Sequence, residues 1–118
     1  MKMRFDFVTN SSSSSFICLR ACSDIKDILL ELNGLSEGYI VEHYDEFEDY
    51  RVELRDGLIE GYIGEDSLTA FGYHLDESDL RSKNLDQLTA DLLHRLKEVY
   101  GREFSASDFC FDYGEYYT

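Results

Sequence analysis

The stretch "YRVELRDGLIEGYIG", residues 50–64, restricts the fold more than any other. Asp56-Gly57 is a preferred two-residue hairpin turn because both central positions need positive φ, which aspartate and glycine tolerate. Pairing outward from that turn sets Leu54 opposite Ile59, Val52 opposite Gly61 and Tyr50 opposite Ile63 on one face. Arg55 with Leu58, Glu53 with Glu60 and Arg51 with Tyr62 fall on the other. One face is apolar and one wet, the pattern of an antiparallel sheet covered on one side. The hairpin is expected to lie centrally in that sheet.

Two amphipathic helices are expected to cover it. Ser23 offers an N-cap, with Asp24 and Asp27 in the first turn, where the helix dipole favours anions. Ile25, Ile28, Leu29 and Leu32 make a stripe, and Asn33-Gly34 a left-handed stop, so the first helix spans about 24–33. The second runs over 85–100, with Asn84 and Gln87 spaced as a capping box. Leu85, Leu88, Leu92, Leu96 and Val99 line its apolar side and Gly101 ends it. At 1.5 Å per residue its length is ~24 Å.

Further strands come from period-2 alternation. "KMRFDFV" alternates Met3, Phe5 and Phe7 against Lys2, Arg4 and Asp6, and "FICLRA" is a second β-favouring run. "YIVEHY" (residues 39–44) is also expected to be a strand, as is the tail "DFCFDYGEYYT". "LTAFGYHL" (residues 68–75) suits either period and leans to strand, although Gly72 weakens both readings. The sum is one α+β domain over 1–118, an antiparallel-rich sheet with two helices on one face.

The bulk properties narrow the partner. Apolar residues make up 43% and aromatics 14%, a folding composition. No run approaches the ~20 apolar residues of a membrane span, and "FICL" is too short for a signal h-region. Three cysteines without dense spacing (Cys18, Cys22, Cys110) argue against a disulfide framework and for a reducing, cytoplasmic setting. The net charge is −14, and residues 1–34 are balanced, so the whole excess lies beyond Gly34. Such a field repels phosphate, which disfavours direct contact with nucleic acid or an anionic membrane and favours a basic protein partner. The chain is expected to be a monomer or a weak homodimer.

No catalytic motif is present, and no catalytic residue, cofactor or metal is expected. His94 lies opposite the leucine stripe and faces solvent; His43 stands among acids. Cys18 and Cys22, if on one strand, are about 13 Å apart, too far to share zinc, and are expected to be buried structural thiols. "DESD" (76–79) and "DEFED" (45–49) supply hard oxygens without the spacing that wraps calcium.

Five serines follow "FVTN" and precede Phe16. The run joins two expected strands, so it is expected to be a loop within the domain. The hydroxyls and consecutive amides of Asn10, Ser11, Ser12, Ser13, Ser14 and Ser15 could cradle an anion, or simply solvate the loop. The string "FVTNSSSSSF" resembles an N-terminal motif of uncharacterised proteins of bacteria, chiefly Gram-positive ones, and their phages. The resemblance covers about the first seventeen residues. It implies a bacterial or phage-type cytoplasmic protein and a recognition role for the serine run, and brings no activity, cofactor or catalytic residue.

Two function classes stay open. In one, a small acidic accessory protein engages a basic protein through Glu42, Tyr44, Asp45, Glu46, Phe47, Glu48 and Asp49, as an immunity-type inhibitor or a DNA mimic would. In the other, a small enzyme assembles a site near the serine loop 10–15. Exposure of Tyr44 and Phe47 discriminates, because aromatics in a core would leave the acids as their solvated backs.

Overall fold

The computed structural model describes residues 13–117. The strand expected over residues 2–8 lies outside them, as do Asn10, Ser11 and Ser12. Five strands form one antiparallel sheet: β1 (Ser13–Ala21), β2 (Arg51–Glu53), β3 (Glu60–Ile63), β4 (Leu68–His74) and β5 (Phe109–Tyr117). Their order is β2-β3-β4-β1-β5. Four α-helices accompany them: α1 (Ser23–Leu32), α2 (Glu37–Glu42), α3 (Glu77–Ser82) and α4 (Leu85–Tyr100). The class is α+β, with two more helices than the leucine and isoleucine stripes disclose.

Buried residues of one sheet face meet buried residues of the helices. Ile17, Leu19 and Ala21 of β1, Phe71 of β4 and Phe109 of β5 pack with Leu29 and Leu30 of α1, Ile40 of α2, and Leu88, Leu92 and Leu96 of α4. Both helical stripes are narrower than expected. Leu32 and Leu85, at helix ends, are exposed, while Leu30 is buried. The α4 caps form as their spacing requires: Asn84 and Gln87 exchange side chain-to-backbone bonds, and Gly101 takes φ +66. At α1 the N-cap is Cys22 and Ser23 is already helical, so no side chain caps that end.

The hairpin register matches the expected pairs Arg51↔Tyr62, Val52↔Gly61 and Glu53↔Glu60, but Tyr50 does not oppose Ile63: it lies in a 3-10 turn, exposed, where the chain leaves the ladder. Asp56 and Gly57 take φ of 61° and 66°. Its position differs. β2 is the edge strand, and the sheet's middle is β4, because β4 and β1 pair non-locally while β2 finds no second neighbour among the described strands. Leu58, assigned to the wet face, is buried because its backbone turns helical before β3 begins.

Gly72 is a requirement of the sheet. It pairs with Arg20 on one side and Glu60 on the other, and a Cβ there would overlap the Leu19 carbonyl oxygen. Beside it the β3–β4 register shifts between Glu60 and Tyr62, and Ala70 takes φ +51. One extra residue in β4 is accommodated as a bulge. Residues 68–74 are therefore strand, with Thr69 exposed and Phe71 in the core, and Leu75 is buried just beyond its end.

Candidate functional site

The stretch from Tyr39 to Tyr50 is not a strand. Ser36 caps α2, its hydroxyl accepting the Tyr39 N–H at 3.2 Å, and two short 3-10 turns follow at Tyr44–Glu46 and Glu48–Tyr50. Tyr39, Ile40 and Val41 suggested a β-run, but only Ile40 is fully buried. Phe47, half-buried against the core, is the second anchor. The chain between and beyond these anchors is pushed outward. Asp49 and Tyr50 both take positive φ, near 57° and 54°, which turns the chain back toward β2. For tyrosine that conformation is strained.

This path puts the predicted residues on one segment. Glu42, Asp45, Glu46, Glu48 and Asp49 are exposed, and so are Tyr44 (50%) and Tyr50 (49%). Phe47 is the exception, turned inward. Tyr44 and Tyr50 approach each other, ring centroids 5.8 Å apart. Tyr39 stacks on His43 at 4.0 Å and donates its hydroxyl hydrogen to Glu46 at 3.3 Å. The Glu46 charge, with a smaller part from desolvation, raises the Tyr39 pKa. His43 Nδ1 lies 2.8 Å from the Tyr39 carbonyl oxygen, which can only accept, so that nitrogen carries the proton.

Among the described residues, Glu42, Asp45, Glu48 and Asp49 form no ion pair. Arg51 is the one base in 37–54, and it pairs with Glu53 at 3.3 Å. Burial opposes its charge, but Glu60, Glu53, Tyr62 and Asp49 together raise its pKa. Glu48, Asp49, Arg51 and Glu53 line a shallow open pocket of about 240 Å³. The arrangement can attract and orient cationic groups. It holds no nucleophile beside a base.

The other predicted groups are dispersed. Ser13, Ser14 and Ser15 belong to β1, paired with Tyr117, Tyr116 and Glu115. Successive amides of a strand point to opposite edges, so these three do not form the cradle of consecutive N–H groups that a loop would. In "DESD", Asp76 and Asp79 cap α3 reciprocally, which occupies their oxygens locally. Among the described residues no cluster of histidine, cysteine and carboxylate is placed to hold a metal ion. Cys18 is buried in β1, whereas Cys22 is half-buried at the α1 cap, where the strand has ended, and Cys110 is exposed.

Sequence reasoning missed a row across the sheet face opposite Ile17 and Leu19. His74, Cys18 and Asp112 lie side by side on β4, β1 and β5. His74 Nε2 is within 2.8 Å of the Ala70 oxygen and 3.2 Å of the Glu60 oxygen, so it is the protonated nitrogen. Burial, then the Asp112 charge, pushes the Cys18 thiol up to about 12. That thiol is neutral and unsuited to attack. Only strand register across distant segments places these three together, and no local pattern announces it.

No helix among the described residues is long and apolar enough to cross a membrane. No protein-family model matches this chain, and neither a curated protein nor a solved structure does.

Proposed function

We propose that this chain is a small acidic accessory protein whose 42–49 face binds a basic protein, in the manner of an immunity-type inhibitor or a DNA mimic. The observation that carries the reading is the exposure of Tyr44 and Tyr50 beside carboxylates that form no ion pair among the chain's described residues. A purely solubilising surface has no use for half-exposed tyrosines, which give contact area at low entropic cost. The carboxylates would steer a cationic partner and fix its register.

The test is capture of partners by the wild type and by a variant carrying Asp45→Lys, Glu46→Lys, Glu48→Lys and Asp49→Lys, at low and moderate salt. Association should slow by about tenfold or more in the variant, and the difference should shrink as salt shortens the ~8 to 10 Å screening length. Identical partners with identical on-rates would refute the proposal.

A further inference from the structure

The two edges of the sheet are built differently. β2 is three residues long and is bounded by 3-10 turns at Glu48–Tyr50 and Arg55–Gly57. β5 is nine residues long, and β1 occupies one side of it over its whole length. Hydrogen bonding shows what the other side offers. Cys22 N–H donates to the Asp108 oxygen at 2.9 Å, and Leu75 N–H donates to the Ile17 oxygen at 2.8 Å. Because bonding directions alternate along an antiparallel ladder, the even-numbered residues of β5 face β1. The odd-numbered ones, Phe109, Phe111 and Tyr113, direct their backbone groups outward.

Two of those outward donors are taken locally. Phe109 N–H bonds the Ala106 oxygen, and Tyr113 N–H bonds Asp112 Oδ1 at 2.9 Å. Phe111 N–H and the three carbonyls have no partner among the described residues. Edge strands are ordinarily blunted by lysine, proline or a bulge. β5 has none of these: the chain lacks proline, and residues 103–118 hold four acids and no base.

We infer that the outer edge of β5 accepts an extended, lysine- or arginine-rich segment of a partner protein as a sixth strand. Charge selects this occupant. A second copy would bring a net −14 against −14 and set acid-bearing strands side by side. A cationic strand meets a β5 whose own charged residues are all acids, although Arg20 of β1 already pairs with one of them. Asp112 now accepts from Arg20 Nε at 2.9 Å as well as from Tyr113 N–H. An incoming carbonyl replaces the second of these bonds and leaves that carboxylate oxygen to a lysine or arginine opposite. Tyr113, 59% exposed, supplies a cross-strand aromatic contact. This edge is at the opposite end of the sheet from β2 and the acidic segment, so the inference stands apart from the proposed function.

The experiment measures amide exchange in the full isotope-labelled chain with three blocked peptides as long as β5. One alternates lysine and valine, one alternates glutamate and valine, and one is the lysine peptide N-methylated along its pairing edge. The lysine peptide should slow exchange at Phe111 and Tyr113 by about tenfold, since ladder bonds protect amides, while the other two leave both unchanged. Tyr113→Pro removes an outward donor without touching the β1 ladder and should abolish the effect. If that variant does not fold, the contrast between the lysine peptide and its N-methylated form decides alone. Binding that leaves Phe111 exchange unchanged, or equal protection by the N-methylated peptide, overturns the inference. Phe111 protection that rises with protein concentration alone, alongside a dimer in sedimentation, assigns the edge to a second copy and overturns it too.

Discussion

Arg55 and the acids of residues 42–49 are both exposed and charged, yet their surroundings are opposite. The Arg55 guanidinium donates to the Leu32 oxygen at 3.1 Å and to the Val99 oxygen at 3.3 Å, and lies 4.7 Å over the Tyr100 ring. Leu32 and Val99 close α1 and α4, where carbonyls lack helical partners and the dipole favours a cation. Asn33 completes the knot. It accepts the Arg55 N–H at 3.1 Å and donates to the Leu29 oxygen at 2.7 Å and the Tyr100 hydroxyl at 3.0 Å. The Arg55 charge at the hairpin tip has a structural reason. Among the described residues the carboxylates of Glu42, Asp45 and Glu48 have none, and Asp49 contributes only its charge to Arg51. The contrast separates charges that the fold consumes from charges that remain for something else.

The largest expected effect strikes both regions, because Arg55 lies against the end of α4 and the anchors Ile40 and Phe47 belong to the same core as its leucines. Leu92 is fully buried, and Leu92→Ala should cost about 2–5 kcal/mol in urea unfolding, with an unchanged denaturant slope. A cost under about 1 kcal/mol would mean that the layer is not the common support.

Next comes the comparison of two arginines. Arg55→Ala should destabilise by about 1–3 kcal/mol, since it leaves two helix-end carbonyls and a tyrosine face without a partner. Arg55→Lys should recover little, because an ammonium cannot span both carbonyls and stack. Arg51→Ala, at an exposed pair, should stay within about 0.5 kcal/mol. Equal costs for the two would erase the distinction.

Legibility followed locality. The α4 caps and the Asp56-Gly57 turn act over a few residues, so their spacing specifies them without knowledge of the rest. The β2–β3 register followed from that turn. The position of the hairpin did not, because sheet order depends on β4 and β1 meeting across the chain. At residues 39–44 a β-favouring triplet was overridden by tertiary context. Ile40 and Phe47 reach the core from a helix and a turn, and no strand among the described residues pairs with this segment. Gly72 looked like a weakness because the Leu19 backbone it clears is distant in sequence. Within the candidate site the density of acids was readable from the sequence, and the exposure of Tyr44 was not. The inward turn of Phe47 was not, since positive φ at Tyr50 is not a preference of its residue type.

A smaller effect concerns Glu37, an acid the fold does consume. Its carboxylate accepts the Leu68 N–H at 2.7 Å and pairs with Lys26 at 2.9 Å, tying α2 to β4 and α1. Burial alone would raise its pKa, but these partners outweigh burial and lower it. A carboxylate with a depressed folded pKa contributes stability that is complete above its unfolded value. That contribution is lost as pH falls through the folded one. Wild-type stability should therefore decline on acidification below the ordinary carboxylate range, and Glu37→Gln should be less stable at neutral pH with a shallower acid limb. Parallel limbs in urea titrations at several pH values would show that Glu37 is not a consumed charge.

The smallest expected change in stability belongs to the acidic face, and its smallness is what matters. The fold draws little on the carboxylates of Asp45, Glu46, Glu48 and Asp49: among the described residues only Glu46 has a side-chain partner, the exposed Tyr39 hydroxyl. Replacing all four with lysine exchanges repulsion among carboxylates for repulsion among ammonium groups and introduces attraction to Glu42 and Glu53 nearby. Those exposed terms are individually worth a few tenths of a kcal/mol, so the variant should unfold within about 0.5–1 kcal/mol of the wild type. Arg51 is the one group placed to object, because Asp49 helps hold its charge, and a lysine there would set two cations together. Restoring Asp49 in the triple variant should then return stability to the wild-type value while leaving the face reversed. A loss of several kcal/mol in both variants, measured by urea unfolding, would show that the fold consumes these charges as it consumes Arg55, and the contrast between the two regions would fail.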